Sequence, residues 1–523
     1  MIYDHISIGG GVIGINTTIN LLKKFLKCKL TKKIKLCVVD KNLSNIPGGI
    51  AYGKKTSIHG YFNNPLRLSH LELQKYYSKI KNFKKIENYL NTFGSNYDLK
   101  KFNENLNILK TKDKKKINEF YFPRVAFSFL QESSFINILN KVKKLKKNIQ
   151  LDFYEGEVIS FKKNKLNYFK IFPMKKFSNF TLKIKKSKSE IFFQPNNKVT
   201  KNLSCKNITI GLGVTPPKKL IKNQINNKYY IWDFYAEGGT SYLINKINSK
   251  LKLKKVTKLC FIGSKAGFLE SLQEIYRLKK NNNSLKIYCF SKKFETLQPA
   301  KISFNKKINL KFLNKRNKSI QSAEELFNVI EKELDSGQKN NNNNKYLIWT
   351  KILSSNILDY FLKRLSEKEL VIYQKKYFHK IRNLTRFTFP ETIKVKDIMI
   401  KKKMIKIIKE KVHKIKLSKD LISLYGDKKK YTFDIVVNVT GPGNLVETSK
   451  YLNIYKSLLK FTKKEQNIIV DKNFSLTGNK NLFSPGTITR GFNDQRQTII
   501  KAIIRNSDIS SLQIYKRILG QNS

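Results

Sequence analysis

Three glycines near the start of the chain carry the first chemical signal. The apolar run His5–Ile8 leads straight into Gly9-x-Gly11-x-x-Gly14, the pattern of a strand that turns tightly into a helix around a dinucleotide. In that arrangement Gly9 makes the turn, Gly11 lets a pyrophosphate reach the backbone, and Gly14 lets the helix lie close on the strand. The phosphates meet the helix N-terminus. The helix expected from Val12 to about Leu26 leads to a second apolar segment, Ile34–Val39, which ends in Asp40. A carboxylate there can hold both hydroxyls of a ribose. The same residues could build a βαβ unit that binds no nucleotide, and Asp40 favours the nucleotide.

A second strand, turn and helix follows much later: Lys258–Ile262, then Gly263-Ser264-Lys265-Ala266-Gly267, a helix from Phe268 to about Lys279, and strand Leu285–Phe290. Lys265 stands where a middle glycine would admit the pyrophosphate. Its side chain either turns away from the phosphates, replaces the glycine contact with a charge, or blocks the turn. No acid follows the second strand of this unit. Ser291, Lys292 and Lys293 stand there, a hydroxyl and two cations suited to a ribose 2′-phosphate and so to NADPH over NADH. In a lysine-rich chain they read equally well as a solvated face.

Arginine is scarce beside lysine in this chain, so each one is informative: its planar fork suits bidentate contacts that a lysine cannot make. Two irregular stretches, 46–53 and 61–68, follow Asp40, and long irregular segments more often wrap ligands than fill space. Asn63, Asn64 and Arg67 are thus candidates to touch a flavin or its phosphates, or else loop residues held by Asx-turns. Arg124 opens an amphipathic helix running to about Leu145, at the pole that favours anions. A cation makes sense there if an anion is shared between it and the helix end. The apolar strand ending in Gly211 and Gly213 before two prolines suits a chain passing close over a ligand. Gly486 and Arg490 lie in a turn before the last helix, expected from about Asp494. Arg382 and Arg386 share a helix face, and nearby His379 reads first as a structural histidine.

These residues need elements to hold them, and the composition supplies enough. At 523 residues and 40% apolar content the chain can bury two cores. The net charge of +68 and pI near 10.0 point at face value to polyanions. The lysines are spread evenly, however, whereas a nucleic-acid footprint clusters on one face. Cys28, Cys37, Cys205, Cys260 and Cys289 form no CxxC pair and read as reduced core thiols. The first strand starts too early for a signal peptide, and no apolar run reaches about 18 residues. A cytoplasmic protein is expected.

The ordered segments ISIGGGVIG, GGIAYG, NNP, FPRVAFSFL, ITIGLGVTPP, CFIGSKAGFLE, SKKFETLQP, FHKIRNLTRF, VVNVTGPG and LFSPGTITRG resemble the FAD/NAD(P)-binding oxidoreductase family that includes FAD-dependent urate hydroxylase and aspartate N-monooxygenase. The resemblance implies an α/β fold of two Rossmann-like dinucleotide-binding domains. A discontinuous FAD-binding domain would span 1–250 and 430–523, with an NAD(P)-binding domain inserted at 251–320 and a mostly helical segment with returning strands at 321–429. The cofactors implied are FAD and NAD(P)H, and the activity a monooxygenase acting on a small polar substrate. Alternatives are a flavin dehydrogenase or reductase without oxygen insertion, a degenerate flavin-binding scaffold, or a polyanion-binding protein. On the first reading Gly9, Gly11, Gly14 and Asp40 hold the ADP half of FAD, and Val158 meets the adenine through its backbone. Asn63, Arg124 and Gly213 line the cofactor, and Gly486 and Arg490 lie beside the ribityl chain and ring. Gly263, Ser264, Gly267, Ser291 and Lys292 serve NAD(P)H. No residue stands out as a catalytic acid or base, no metal site is expected, and the partner is a small molecule with no specific nucleic acid and no membrane span.

Overall fold

The computed structural model describes residues 1–54, 62, 71–77, 79, 82–93, 102–103, 121–185, 190–218, 220, 227–236, 238–253, 256–278, 284–299, 309–314, 319–336, 345–355, 357–418, 421–441, 443, 445–450, 452–461, 470–471, 473–476, 479–486 and 499–521. Among them the first sheet has ten strands. Its centre is parallel, in the order Ile149–Glu155, Ile34–Asp40, Ile2–Ile8, Leu203–Ile210, Asn479–Phe483. Strands buried on both faces favour apolar side chains at every position, as in Leu36–Val39 of Ile34–Asp40, whereas Ile2–Ile8 also buries Asp4, His5 and Ser7. Alternation still sends successive residues to opposite faces. Leu36 and Val38 pack under Ile15, Leu22, Phe25 and Phe135, on helices Val12–Leu26 and Val125–Lys144. Cys37 and Val39 face the other way, against Phe161, Phe169 and Leu458. That second layer is built by antiparallel strands Val158–Lys163 and Phe169–Pro173 and by helix Asn453–Leu459.

The second sheet repeats this plan. Its strands run Ile405–Ile408, Leu285–Phe290, Thr257–Ile262, Ile435–Asn438, Tyr230–Ile231, and all pairs are parallel. Antiparallel strands join Ile149–Glu155 to Leu203–Ile210 in the first sheet, and likewise Lys414–Leu417, Ile422–Tyr425 and Lys430–Phe433 join Ile405–Ile408 to Ile435–Asn438 in the second. The sheets divide the chain differently from the sequence expectation. Residues 230–231 and 435–438 fall in the ranges expected for the first unit and 405–408 in the range expected for the helical segment, while in the structure all three strands pair in the second sheet. Helix Gly239–Leu251 packs there too, through Leu243 and Ile247. Buried strands of two or four residues carry too little pattern to show which sheet they join.

The described residues between 323 and 384 are mostly helical: Ala323–Ser336, Lys345–Ser354, Ile357–Arg364, Glu367–Ile372, a π-helical turn Tyr373–Tyr377, and Phe378–Leu384. Leu326, Ile330, Phe361, Tyr373 and Tyr377 form its core, each fully buried apolar side chain stabilising by about 1.5–3 kcal/mol. Glu333, 1% exposed, accepts backbone N–H groups from Lys311, Phe312 and Leu313 at 2.9, 2.7 and 2.8 Å. Such a buried charge is tolerable because donors surround it. Among the described residues no helix is long and apolar enough to cross a membrane.

His5 lies in the middle of the first sheet, 1% exposed, with Nε2 2.9 Å from the Thr209 hydroxyl. Burial pushes its pKa down to about 3, whereas an unfolded histidine titrates near 6.5. Between those values the unfolded chain binds the extra proton, so this contribution to stability is complete above pH 6.5 and is lost as pH falls towards 3. Denaturant unfolding across that range should show a slope of up to about 1.4 kcal/mol per pH unit from this one group. His5→Gln should flatten that slope; an unchanged slope would show that other groups set the acid sensitivity.

Candidate nucleotide sites and their junction

The first glycine turn sits where the sheet order reverses, between the carboxyl ends of Ile2–Ile8 and Leu203–Ile210, the place where open α/β sheets bind ligands. Gly9 donates its N–H to the Val39 carbonyl at 2.7 Å, and Gly211 donates to the Ile8 carbonyl at 2.7 Å. These bonds hold Gly9 at φ +97°, a conformation that favours glycine. A Cβ on Gly9 would lie 2.4 Å from the Gly211 oxygen, and one on Gly14 only 2.0 Å from the Gly9 oxygen. Gly11 is different: a Cβ there would meet nothing closer than the Gly49 Cα at 3.5 Å. Packing thus requires glycine at positions 9 and 14, whereas position 11 has room for a Cβ beside the helix N-terminus.

Asp40 ends the neighbouring strand with its carboxylate turned back to this turn. One oxygen accepts the Gly10 N–H at 2.7 Å and the other the Asn42 N–H at 2.8 Å. Burial raises its pKa, the two N–H groups oppose that, and nearby Glu155 adds a smaller upward push. A carboxylate has about four acceptor positions, so two donors leave capacity for ribose hydroxyls. Beside the helix start, Gln131 donates weakly to the Val12 carbonyl at 3.5 Å, while its buried Oε1 has no partner among the described residues. These features fit an ADP-like group.

The remaining expected contacts are placed unevenly. Gly486 brings the C-terminal segment against Ile13 of the fingerprint helix, where a Cβ would lie 2.3 Å from Cδ1. A Cβ at Gly213 would meet nothing within 4 Å. Val158 is buried and pairs with Pro173 at the start of its strand. Asn63, Asn64, Arg67 and Arg490 lie outside the described residues, as do the side chains of His379 and Arg382. Arg386 is half-buried, and desolvation lowers its pKa.

The second glycine turn copies the first. Gly263 donates to the Phe290 carbonyl at 2.9 Å and Val439 to the Ile262 carbonyl at 3.0 Å, with Gly263 at φ +111°. A Cβ on Gly263 would lie 2.7 Å from the Val439 oxygen, and one on Gly267 2.9 Å from Val439 Cγ1. Lys265 precedes helix Ala266–Leu278 and is half-buried; its carbonyl accepts the Leu269 N–H at 3.0 Å. The serine hydroxyls face protein groups. Ser264 donates to the Glu295 carbonyl at 2.9 Å and lies 3.2 Å from the Ser291 hydroxyl, which donates to the Lys293 carbonyl at 2.7 Å. Lys292 and Lys293 are exposed at the strand end. Nearby Asp427 is held below its usual pKa chiefly by a hydrogen bond from His413, with Lys292 a smaller influence.

Arg124 does have an anion at its helix end, and it is a protein carboxylate. Its guanidinium bonds Glu270 at 2.5 Å, and Glu270 stands near the start of the second fingerprint helix. The Tyr235 hydroxyl donates to the other Glu270 oxygen at 3.3 Å. Burial would push the guanidinium pKa down, but the Glu270 charge outweighs it and holds it up, helped by Tyr52. Sequence reasoning found Arg124 through its misplaced charge and missed Glu270, Tyr235 and Tyr52. Nothing local in the sequence marks them.

No protein-family model matches the chain, and no curated protein matches it. Among solved structures it is similar to L-lysine 6-monooxygenase from Pseudomonas syringae, at 10% identity and TM-score 0.53, covering 100% of each chain. It is also similar to DfoA of Erwinia amylovora, a cadaverine monooxygenase solved with FAD, at 12% identity and TM-score 0.50, covering 98% of this chain and 94% of that one. The shared fold is α/β, with two Rossmann-type units and added helices.

The glycine geometry separates folding from binding. Gly14→Ala should destabilise by about 3 kcal/mol or more, because the helix must leave the strand. Gly11 already has φ −73°, which alanine adopts, and Gly11→Ala should stay within about 1 kcal/mol of the parent. Thermal and denaturant unfolding of the two variants checks this directly; equal losses would mean that Gly11 too is held by packing.

Proposed function

We propose that this chain is an FAD-dependent oxidoreductase driven by NAD(P)H, working as a monooxygenase on a small polar substrate. The observation that carries the reading is the duplication: two sheets whose parallel cores share one order over four strands, each with a glycine turn at its switch point, but with an acid after the first unit's second strand and hydroxyl-bearing and cationic residues after that of the second. One turn with Asp40 suits the adenosine ribose of FAD, and the other, with Ser291, Lys292 and Lys293, suits a phosphorylated ribose. When bound, these groups would supply hydride transfer from NAD(P)H to FAD and the flavin's chemistry with O₂.

The chain's own residues position and shield these groups. Gly11 and the start of helix Val12–Leu26 receive the FAD pyrophosphate, Asp40 its ribose, and the Val158 backbone its adenine. Gly213, Gly486, Asn63 and Arg490 are assigned to the flavin side. Gly263, Gly267 and the start of helix Ala266–Leu278 receive the NAD(P)H pyrophosphate, with the Lys265 stem laid aside. The hydroxyls of Ser264 and Ser291, bonded to backbone carbonyls, shape the turn. The similar enzymes are named for lysine and cadaverine, which makes small amines the first substrates to try.

The purified protein should be yellow, with a flavin spectrum that Gly11→Ala weakens without unfolding the chain. Under anaerobic conditions NADPH should bleach it faster than NADH. Lys292→Glu with Lys293→Glu should erase a preference of about tenfold, equal to about 1.4 kcal/mol. Oxygen uptake should then rise on adding lysine, ornithine or cadaverine. Flavin that neither nucleotide bleaches would leave a flavoprotein reduced by another donor, with Lys265 closing the second turn. Colourless, well-folded protein would reject the proposal.

A further inference from the structure

The ion pair between Arg124 and Glu270 joins the two sheets' helices. Arg124 immediately precedes helix Val125–Lys144 on the first sheet, and Glu270 lies in helix Ala266–Leu278 on the second, 146 positions away. Their side chains are 18% and 14% exposed. A cation costs energy at a helix N-terminus, while a carboxylate near one is favoured. Arg124 gains nothing from its own helix, so its place is accounted for by the helix across the junction.

Each partner is tied to a glycine turn. Glu270 stands three residues after Gly267. Tyr235, which also bonds Glu270, follows Phe234, whose ring lies 3.5 Å from where a Gly267 Cβ would be. On the other side, Tyr52 ends the helical turn Gly49–Tyr52, and Gly49 lies against Gly11. Tyr52 packs edge-on against Phe127, its ring centroid 6.0 Å away, and the Phe127 N–H bonds the Arg124 carbonyl at 3.1 Å. The cluster therefore runs from the first glycine turn, through Tyr52, Arg124 and Glu270, to the second.

We infer that Arg124 and Glu270, braced by Tyr235 and Tyr52, are positioning residues that fix the angle and spacing at which the two nucleotide-binding turns face each other. The inference rests on the proposed function in taking both turns as nucleotide sites. A half-buried guanidinium–carboxylate pair suits the task, because its planar fork dictates orientation and an unpaired partner is costly. Hydride transfer is sensitive to this geometry, since a displacement of about 1 Å can cost a hundredfold in rate.

The test uses the full chain as Arg124→Met, Glu270→Gln and the exchanged pair Arg124→Glu with Glu270→Arg. With FAD bound, dithionite should reduce every variant like the parent. At saturating NADPH the single variants should bleach at least about tenfold more slowly, with half-saturation within about threefold of the parent, and the exchanged pair should recover most of the rate. Without any nucleotide, small-angle scattering should give a larger radius of gyration for the single variants and the parental value for the exchanged pair. Parental bleaching and scattering in the single variants would overturn the inference, as would a well-folded exchanged pair that stays slow and expanded. If the single variants fail to fold, the exchanged pair alone decides. If NADPH fails to bleach the parent, the proposed function fails there, and scattering still decides whether the pair sets the geometry.

Discussion

The whole arrangement depends on two backbones touching where a side chain would normally keep them apart. Gly9, Gly14 and Gly211 bring the first strand, the fingerprint helix and the neighbouring strand together with no room for a Cβ at Gly9 or Gly14. That contact aims the helix N-terminus over the carboxyl ends of the strands and sets Asp40 beside it. Gly263, Gly267 and Val439 make the equivalent contact in the second sheet. The helices, antiparallel strands and C-terminal segment are layers placed around these two fixed points.

How much of this the sequence discloses follows from the range of each interaction. Helix Val12–Leu26 and strands Ile2–Ile8 and Ile34–Asp40 are specified within about forty consecutive residues, by apolar pattern and glycine spacing, and they are legible almost to the residue. Strand Leu285–Phe290 and helix Ala266–Leu278 are legible for the same reason. Which sheet Tyr230–Ile231, Ile405–Ile408 and Ile435–Asn438 join is not legible, because a parallel strand finds its neighbours far along the chain and short buried runs have no period of their own. The alternation around 169–193 does give antiparallel strands, where neighbours are close in sequence.

The candidate sites follow the same logic. Glycines advertise themselves by type, and Asp40 by position. Arg124 is conspicuous because a cation opposes its helix dipole, but its partner comes from the other sheet and no local rule points to it. Ser264 and Ser291 show the converse case. Their residue types suit a ligand, yet each hydroxyl is bonded to a nearby backbone carbonyl, so they shape the turn before they can contact anything else.

The order of strands in the second sheet has a consequence for synthesis. Its edge strand, Tyr230–Ile231, leaves the ribosome before the strands that build its centre, and it pairs with Ile435–Asn438, which emerges only after the whole helical region. The first sheet waits longer still, for Asn479–Phe483 to dock beside Leu203–Ile210. The chain therefore closes like nested brackets, the inner sheet before the outer. Until then the growing polypeptide carries two incomplete sheets with open edges, the condition in which strands most readily pair with the wrong neighbour. A surface with a net charge of +68 repels other copies of itself, and that repulsion acts throughout the interval when those edges are exposed.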